Sequence, residues 1–364
     1  MKCETKEQFA EYRGILVLAE VRNGALQDCS KELVSEARRM ADRMGAGVCA
    51  LLLGSGVEQF ASCLAGFGAD RVLVCEDALL RDYTTEAYAS VACQVAEQFK
   101  PEIFLVSATT LGRALAPRCA ARLKTGLNAD CTLLHTGSEE YRQYLEENQV
   151  PPAELEKAVA YTGLKMTMPA FGGHMMATII CPAYRPQMAT VRPGVMAQGA
   201  FDEARAAACV PEHPAFTLTA ADVFSRVLET VRAERTGTDV TKADVIVAVG
   251  MGIRKDRERG LELARELADA LGGVVACTRD VMTEGWMEED RVIGQTGKIV
   301  RPKLYVALGI SGAIQHVGGM KDAEYIVAVN TDKRAPIRDV ADVFLAGDLF
   351  DVVPALIREA RARG

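Results

Sequence analysis

Short apolar runs recur along this chain, each five or so residues long and each separated from the next by a turn and a helical pattern. Ile15 to Ala19, Val48 to Leu53, Val72 to Cys75 and Ile103 to Ser107 form one series, with helical periodicity over Ser30 to Met44 and Glu86 to Phe99. A second series starts at Ala243: Val245 to Val249, Val274 to Cys277, Leu304 to Leu308, Ile326 to Val329 and Phe344 to Ala346. Runs this short and this apolar suit strands buried on both faces, and their alternation with helices predicts βαβ units and parallel sheets. The fold class is therefore α/β, with two domains: an N-terminal parallel-sheet domain with added strands, and a C-terminal doubly wound, Rossmann-like domain.

The chain's 364 residues, 49% of them hydrophobic, are enough for two ordinary cores. The domains are expected at 1–235 and 236–364, with a connector within about 200–242, where Phe201 to Pro214 is alanine-rich, charged and proline-punctuated. Phe224 to Arg232 fits either a helix or a last strand, and Thr230 with Val231 favours the strand. Between Leu164 and Met196 the segments Met176-Ala-Thr-Ile-Ile-Cys-Pro182 and Met188-Ala-Thr-Val-Arg-Pro-Gly194 have no helix between them, which predicts extra strands at edges or in a hairpin. Glu139 to Tyr161 is polar and proline-interrupted, a surface insertion of one or two short helices.

A net charge of −7 gives no basic footprint for nucleic acid or an anionic membrane. The N-terminus is charged where a signal peptide would be apolar, and no stretch approaches the roughly 18 apolar residues of a membrane span. A cytoplasmic location is expected. The eleven cysteines are scattered without a C-x-x-C pair, so they read as small core residues and not as metal or iron–sulfur ligands.

Candidate site residues collect just past the strands of the second series. Gly309 and Gly312 follow Leu304 to Leu308 and allow positive φ and close backbone approach. A helix beginning over Ala313 to Val317 would aim amides at whatever fills that turn. Ser311, Gln315 and His316 are its polar residues. Thr278 and Arg279 follow Val274 to Cys277, Gly294 to Lys298 is a turn, Asn330 follows Ile326 to Val329, and Asp348 opens the last helix. Asp348 alone reads as an N-cap, Asn330 as a turn residue and Arg279 as a surface cation. Their convergence on one sheet edge marks a site. The chain carries no nucleophile elbow, H-E-x-x-H or P-loop lysine. His135, His174 and His213 have no evident partners; His174, in a glycine turn, reads as a solvated residue or one facing a partner.

The run Gly294-Gln-Thr-Gly-Lys-Ile-Val300, then Leu304 to Met320, Ile326-Val-Ala-Val-Asn330 and Asp348-Leu349, closely resembles the alpha subunit of electron-transfer flavoproteins. Ala108 to Pro117 and Thr190 to Gly194 extend the resemblance over nearly the whole chain. It implies an FAD in the C-terminal domain, contacted by Met251, Thr278, Arg279, Ile293, Gly294, Gln295, Thr296, Ser311, Gly312, Ala313, Ile314, Gln315, His316, Asn330, Asp348 and Leu349. Arg279 would lie against the isoalloxazine, and His316 near its N1/O2 edge; both would favour anionic reduced states. Gln295 and Thr296 would approach the N5 side. Relatives usually carry arginine where this chain has Met251, with Arg254 and Lys255 shortly after as candidate replacements.

The resemblance further implies an electron carrier, not itself an enzyme, paired with a smaller beta subunit that holds AMP or a second FAD. Its electrons would come from acyl-CoA dehydrogenases or other flavin dehydrogenases. Met176 to Pro182 and Met188 to Gly194 look like the anaerobic branch, where some members bifurcate electrons from NADH to ferredoxin or flavodoxin. The competing reading is a nicotinamide-dependent oxidoreductase. Against it, Gly250-Met-Gly252 runs into a charged loop in place of a third glycine.

Overall fold

In the computed structural model, residues 2–3, 5–170, 175–225, 227–231 and 239–363 are described. They fall into two compact units, one ending at Val231 and the other holding Asp239 onward. The first unit contains β1 (Ile15–Ala19), α1 (Asp28–Met44), β2 (Val48–Gly54), β3 (Arg71–Glu76), α2 (Thr85–Phe99), β4 (Ile103–Ser107), α3 (Thr110–Leu123) and β5 (Leu127–Cys131). There follow β6 (Leu133–His135), α4 (Ser138–Glu147), α5 (Pro152–Val159), β7 (Lys165–Ala170), β8 (Met175–Ile180) and β9 (Gln187–Val191). Six of these strands form a parallel sheet in the order β3-β2-β1-β4-β9-β5, and β8-β7-β6 form a small antiparallel sheet. All five residues of β1 and of β4 are buried, as their uninterrupted apolar runs require of strands covered on both faces.

Met176 to Pro182 lies in the expected hairpin, where β8 pairs antiparallel with β7. Met188 to Gly194 departs from the expectation. β9 is an inner strand between β4 and β5, and all five of its residues are buried. Pro186 precedes its first residue and Pro193 lies two residues past its last, so neither ring removes an N–H from the ladder. The strand expected over Phe224 to Arg232 is also absent among the described residues of that segment; Arg226 and Arg232 lie outside them. The free edge of β3 is taken by Glu212, which bonds Val72 and Val74 through its backbone. Phe224 and Leu228 are exposed, and the Glu86 carboxylate accepts from the N–H groups of Phe224 and Ser225.

The second unit contains β10 (Val245–Val249), α6 (Arg257–Ala270), β11 (Val274–Cys277), α7 (Arg279–Thr283), β12 (Leu304–Leu308), α8 (Ile314–Val317), β13 (Ile326–Asn330), β14 (Val343–Ala346) and α9 (Leu349–Arg363). Its strands form one parallel sheet, β11-β10-β12-β13-β14, so the order reverses beside β10, where doubly wound folds open a crevice. α6 is capped by Asp256, whose side chain accepts from the Arg259 N–H. It packs Leu263, Ala264 and Leu267 against β10 and α9.

The eleven cysteines are free thiols, seven of them buried. Among the described residues no helix is long and apolar enough to cross a membrane, and no group of His, Cys, Asp and Glu is arranged to hold a metal ion.

Candidate functional site

A cavity of about 460 Å³ opens at the carboxyl ends of β10, β11 and β12. It exists because the glycines there let backbones approach more closely than any side chain would permit. A Cβ on Gly250 would sit 2.5 Å from the Gly309 carbonyl oxygen, and one on Gly309 would sit 2.6 Å from Cα of Gly252. Gly309 has φ 61 and Gly312 φ 89, the left-handed region that glycine adopts without strain. Gly250-Met-Gly252 is not a simple turn but runs into a 3₁₀ helix, Met251–Lys255.

The far wall is a pair of turns knitted together. The N–H of Gln295 donates to the Gln315 carbonyl at 2.7 Å, and Val300 donates to Gly319 at 2.9 Å. His316 Nδ1 lies 3.0 Å from the Ile293 carbonyl oxygen. Arg279, the first residue of α7, donates to Thr296 Oγ1 at 3.3 Å across the opening. The Thr278 Oγ1 is buried with no hydrogen-bond partner among the described residues. An orphaned buried hydroxyl costs roughly 1–3 kcal/mol.

Of the residues singled out from the sequence, Met251, Thr278, Arg279, Ile293, Gly294, Gln295, Thr296, Ser311, Ala313, Gln315 and His316 line this cavity. Gly312, Ile314, Asn330, Asp348 and Leu349 do not. Asn330 spends its amide inside the protein, donating to Ile310 O at 2.8 Å and accepting from the Asp332 N–H at 2.9 Å. Asp348 caps α9, accepting from the Phe350 N–H at 3.0 Å, and pairs with Lys255 at 3.3 Å. Leu349 is buried in the core between β10, β12 and α6. A Cβ at Gly312 would strike the backbone of Ile337, and Ile314 is half exposed. The set of residues expected to contact the cofactor lacks four that line the cavity, Gly250, Asp280, Gly309 and Ile310. The glycines were visible as turn formers, whereas Asp280 gave no signal because its place at the cavity depends on how α7 turns.

One expectation about this wall changes. α8 is a single turn of four residues, too short for an appreciable dipole. His316 is not a cation. It is 5% exposed, both ring nitrogens are engaged, Nε2 with the Tyr305 hydroxyl at 2.9 Å, and burial pulls its pKa down to about 4. His174 lies outside the described residues. His135 is buried against Tyr141 and Tyr144, and His213 lies 3.6 Å from Glu58.

The electron transfer flavoprotein domain model matches residues 15–216, and the electron transfer flavoprotein FAD-binding domain model matches 239–321. The chain belongs to the electron-transfer flavoprotein alpha-subunit family. It is 49% identical to the acryloyl-CoA reductase electron transfer subunit beta of Anaerotignum propionicum, over 95% of each chain. It is 42% identical to the electron transfer flavoprotein subunit alpha of Clostridium acetobutylicum, over 97% of this chain and 98% of that one. Similarity extends to the lactate dehydrogenase (NAD(+),ferredoxin) subunit LctC of Acetobacterium woodii, 38% identical over 95% of this chain and 76% of that one. As a member of the alpha-subunit family, this protein binds FAD in its C-terminal domain and functions in electron transfer.

Proposed function

We propose that the cavity between β10, β11 and β12 receives the isoalloxazine of the FAD. The supporting observation is the orphaned Thr278 hydroxyl in a glycine-walled cavity whose described lining holds a single cation, Arg279, beside one carboxylate, Asp280. A planar ring with carbonyl and N–H edges matches that set. Bound flavin supplies one- and two-electron chemistry; the protein supplies position and field. Thr278 offers a hydroxyl, Gln295, Thr296 and Ser311 offer polar atoms, and the glycines admit the ring against backbone. Arg279 favours negative charge on whatever it faces, and a charge-assisted hydrogen bond from it contributes about 1.5–3 kcal/mol. Arg279→Gln should therefore lower the flavin's one-electron potential by on the order of 65–130 mV. An unchanged potential in a spectroelectrochemical titration would remove the ring from this cavity.

In this reading the chain is the alpha subunit of a cytoplasmic heterodimer, with a smaller beta subunit against its first unit. It passes electrons from acyl-CoA or other flavin dehydrogenases and performs no substrate chemistry of its own. The names of the relatives in acryloyl-CoA reductase and in an NAD- and ferredoxin-linked lactate dehydrogenase favour the bifurcating branch, with a second FAD in the partner. Reconstituting the heterodimer and counting nucleotides tests this, since one FAD with AMP in the partner would exclude bifurcation by the pair.

A further inference from the structure

Tyr305 sits in the second residue of β12 with no exposed surface, in an apolar layer with Ile246, Ala276, Ile293 and Ile310. Its hydroxyl has one hydrogen-bond partner among the described residues, His316 Nε2 at 2.9 Å. The other ring nitrogen faces the Ile293 carbonyl. A carbonyl oxygen only accepts, so Nδ1 carries a hydrogen. In the neutral ring Nε2 then presents a lone pair, and the tyrosine O–H fills it.

An imidazolium would reverse that second bond. Nε2–H would donate to the phenol oxygen, and the phenol hydrogen would be left without an acceptor in a dry layer, a cost of roughly 1–3 kcal/mol. Nor can the tyrosine ionise to restore the pair: burial holds its hydroxyl well above the ordinary range. The neighbouring Cys277 thiol, pushed up to about 12 by burial, is neutral as well. The charged groups lining the same cavity are Arg279 and Asp280, one of each sign, and no described carboxylate bonds the imidazole.

We propose that Tyr305 is a positioning residue of the flavin site: its hydroxyl fixes His316 as the neutral Nδ1–H tautomer, which clamps residue 293 to residue 316 and leaves Arg279 as the one cation among the described lining residues. This rests on the reading that the cavity receives the flavin ring. Its consequence is a one-sided field, in which stabilisation of negative charge comes from α7 and not from the histidine.

The test is ¹⁵N spectroscopy of the histidine rings in the full chain carrying its flavin, with His316 assigned by the resonance lost in His316→Gln. The wild type should show a protonated Nδ1 and an unprotonated, bond-accepting Nε2 throughout about pH 5.5–9, across the normal histidine range. Tyr305→Phe should lose that single tautomer, and His316 should begin to titrate within the same window. A doubly protonated His316 in the wild type at neutral pH overturns the proposal without recourse to any variant. So does an unaltered Nε2 resonance in Tyr305→Phe. Arg279→Gln on the same preparation separates this from the broader assignment: a flavin spectrum and potential untouched by it displace the ring from the cavity, and Tyr305 then has no role at the flavin whatever the tautomer.

Discussion

The two parallel sheets end very differently at the same edge. In the first unit the carboxyl ends of β1 and β4 enclose a void of about 10 Å³, lined by Leu18, Glu20, Ser107 and their neighbours. The polar groups there satisfy one another: Thr109 donates to Glu20 at 2.5 Å while accepting from the Gly112 N–H, and Ser30 Oγ accepts from the Glu20 N–H at 2.7 Å. In the second unit the corresponding edge holds about 460 Å³, an unpartnered threonine and an arginine with one long hydrogen bond. A parallel sheet supplies the place for a ligand in both units. At this edge the first unit closes over polar groups that bond one another, whereas the second keeps an open cavity with polar side chains along it.

The sharpest way to break this contrast is Gly309→Val, which puts a branched side chain at φ 61 and against Gly252. Strain and overlap together should cost about 3 kcal/mol or more in the second unit and abolish the flavin absorbance. The counterpart, Gly112→Ala, drives a Cβ into the Ser107 carbonyl and should destabilise the first unit in urea while flavin stays bound.

His316 gives the next largest effect. Its folded pKa lies below the unfolded value, so the unfolded chain takes up a proton that the folded one resists. Stability is complete above about pH 6.5 and declines as pH falls toward about 4, by about 3 kcal/mol in all. His316→Gln should flatten that part of the acid slope in pH-dependent denaturation; an unchanged slope would mean the imidazole is charged when folded. His135 is also held below its ordinary value by burial, so His135→Gln serves as the control in the first unit.

Thr278→Val should leave the apo protein as stable as before, or more so, and weaken flavin binding about 5- to 10-fold, the loss of about 1 kcal/mol. Thr109→Val should do the reverse, destabilising the protein because Glu20 loses its donor, with flavin affinity intact. Calorimetric titration with FAD alongside thermal melts distinguishes them. The smallest change is expected from Asp348→Ala, about 1 kcal/mol from a lost N-cap, with flavin retained. A large loss of flavin there would show that Asp348 serves the cofactor as well as the helix.

Much of this was legible beforehand where a local rule had no competitor. β1, β2 and β4 begin where their apolar runs do, because an unbroken run of five has nowhere to go except between two layers of helices. β9 reads as peripheral from sequence because its flanking prolines look like edge markers, yet both rings fall outside the ladder and the strand is internal. Phe224 to Arg232 has strand-like composition, but the free edge of β3 is taken by Glu212, and which segment pairs with an edge is not reported by composition.

The same division runs through the site. Glycine-allowed turns after buried strands can be read locally and mark a ligand site past the second series of strands, and the resemblance carried by Gly294 to Val300 and Leu304 to Met320 implies that the ligand is a flavin. Only the tertiary structure decides what each side chain has left to give. Asn330 and Asp348 are consumed by the backbone, Thr278 is spared, and His316 lies between Tyr305 and Ile293, where charge is expensive and a neutral ring satisfies both neighbours. Hydrogen-bond capacity is settled by three-dimensional neighbours, and a charge state follows from the same neighbours through desolvation.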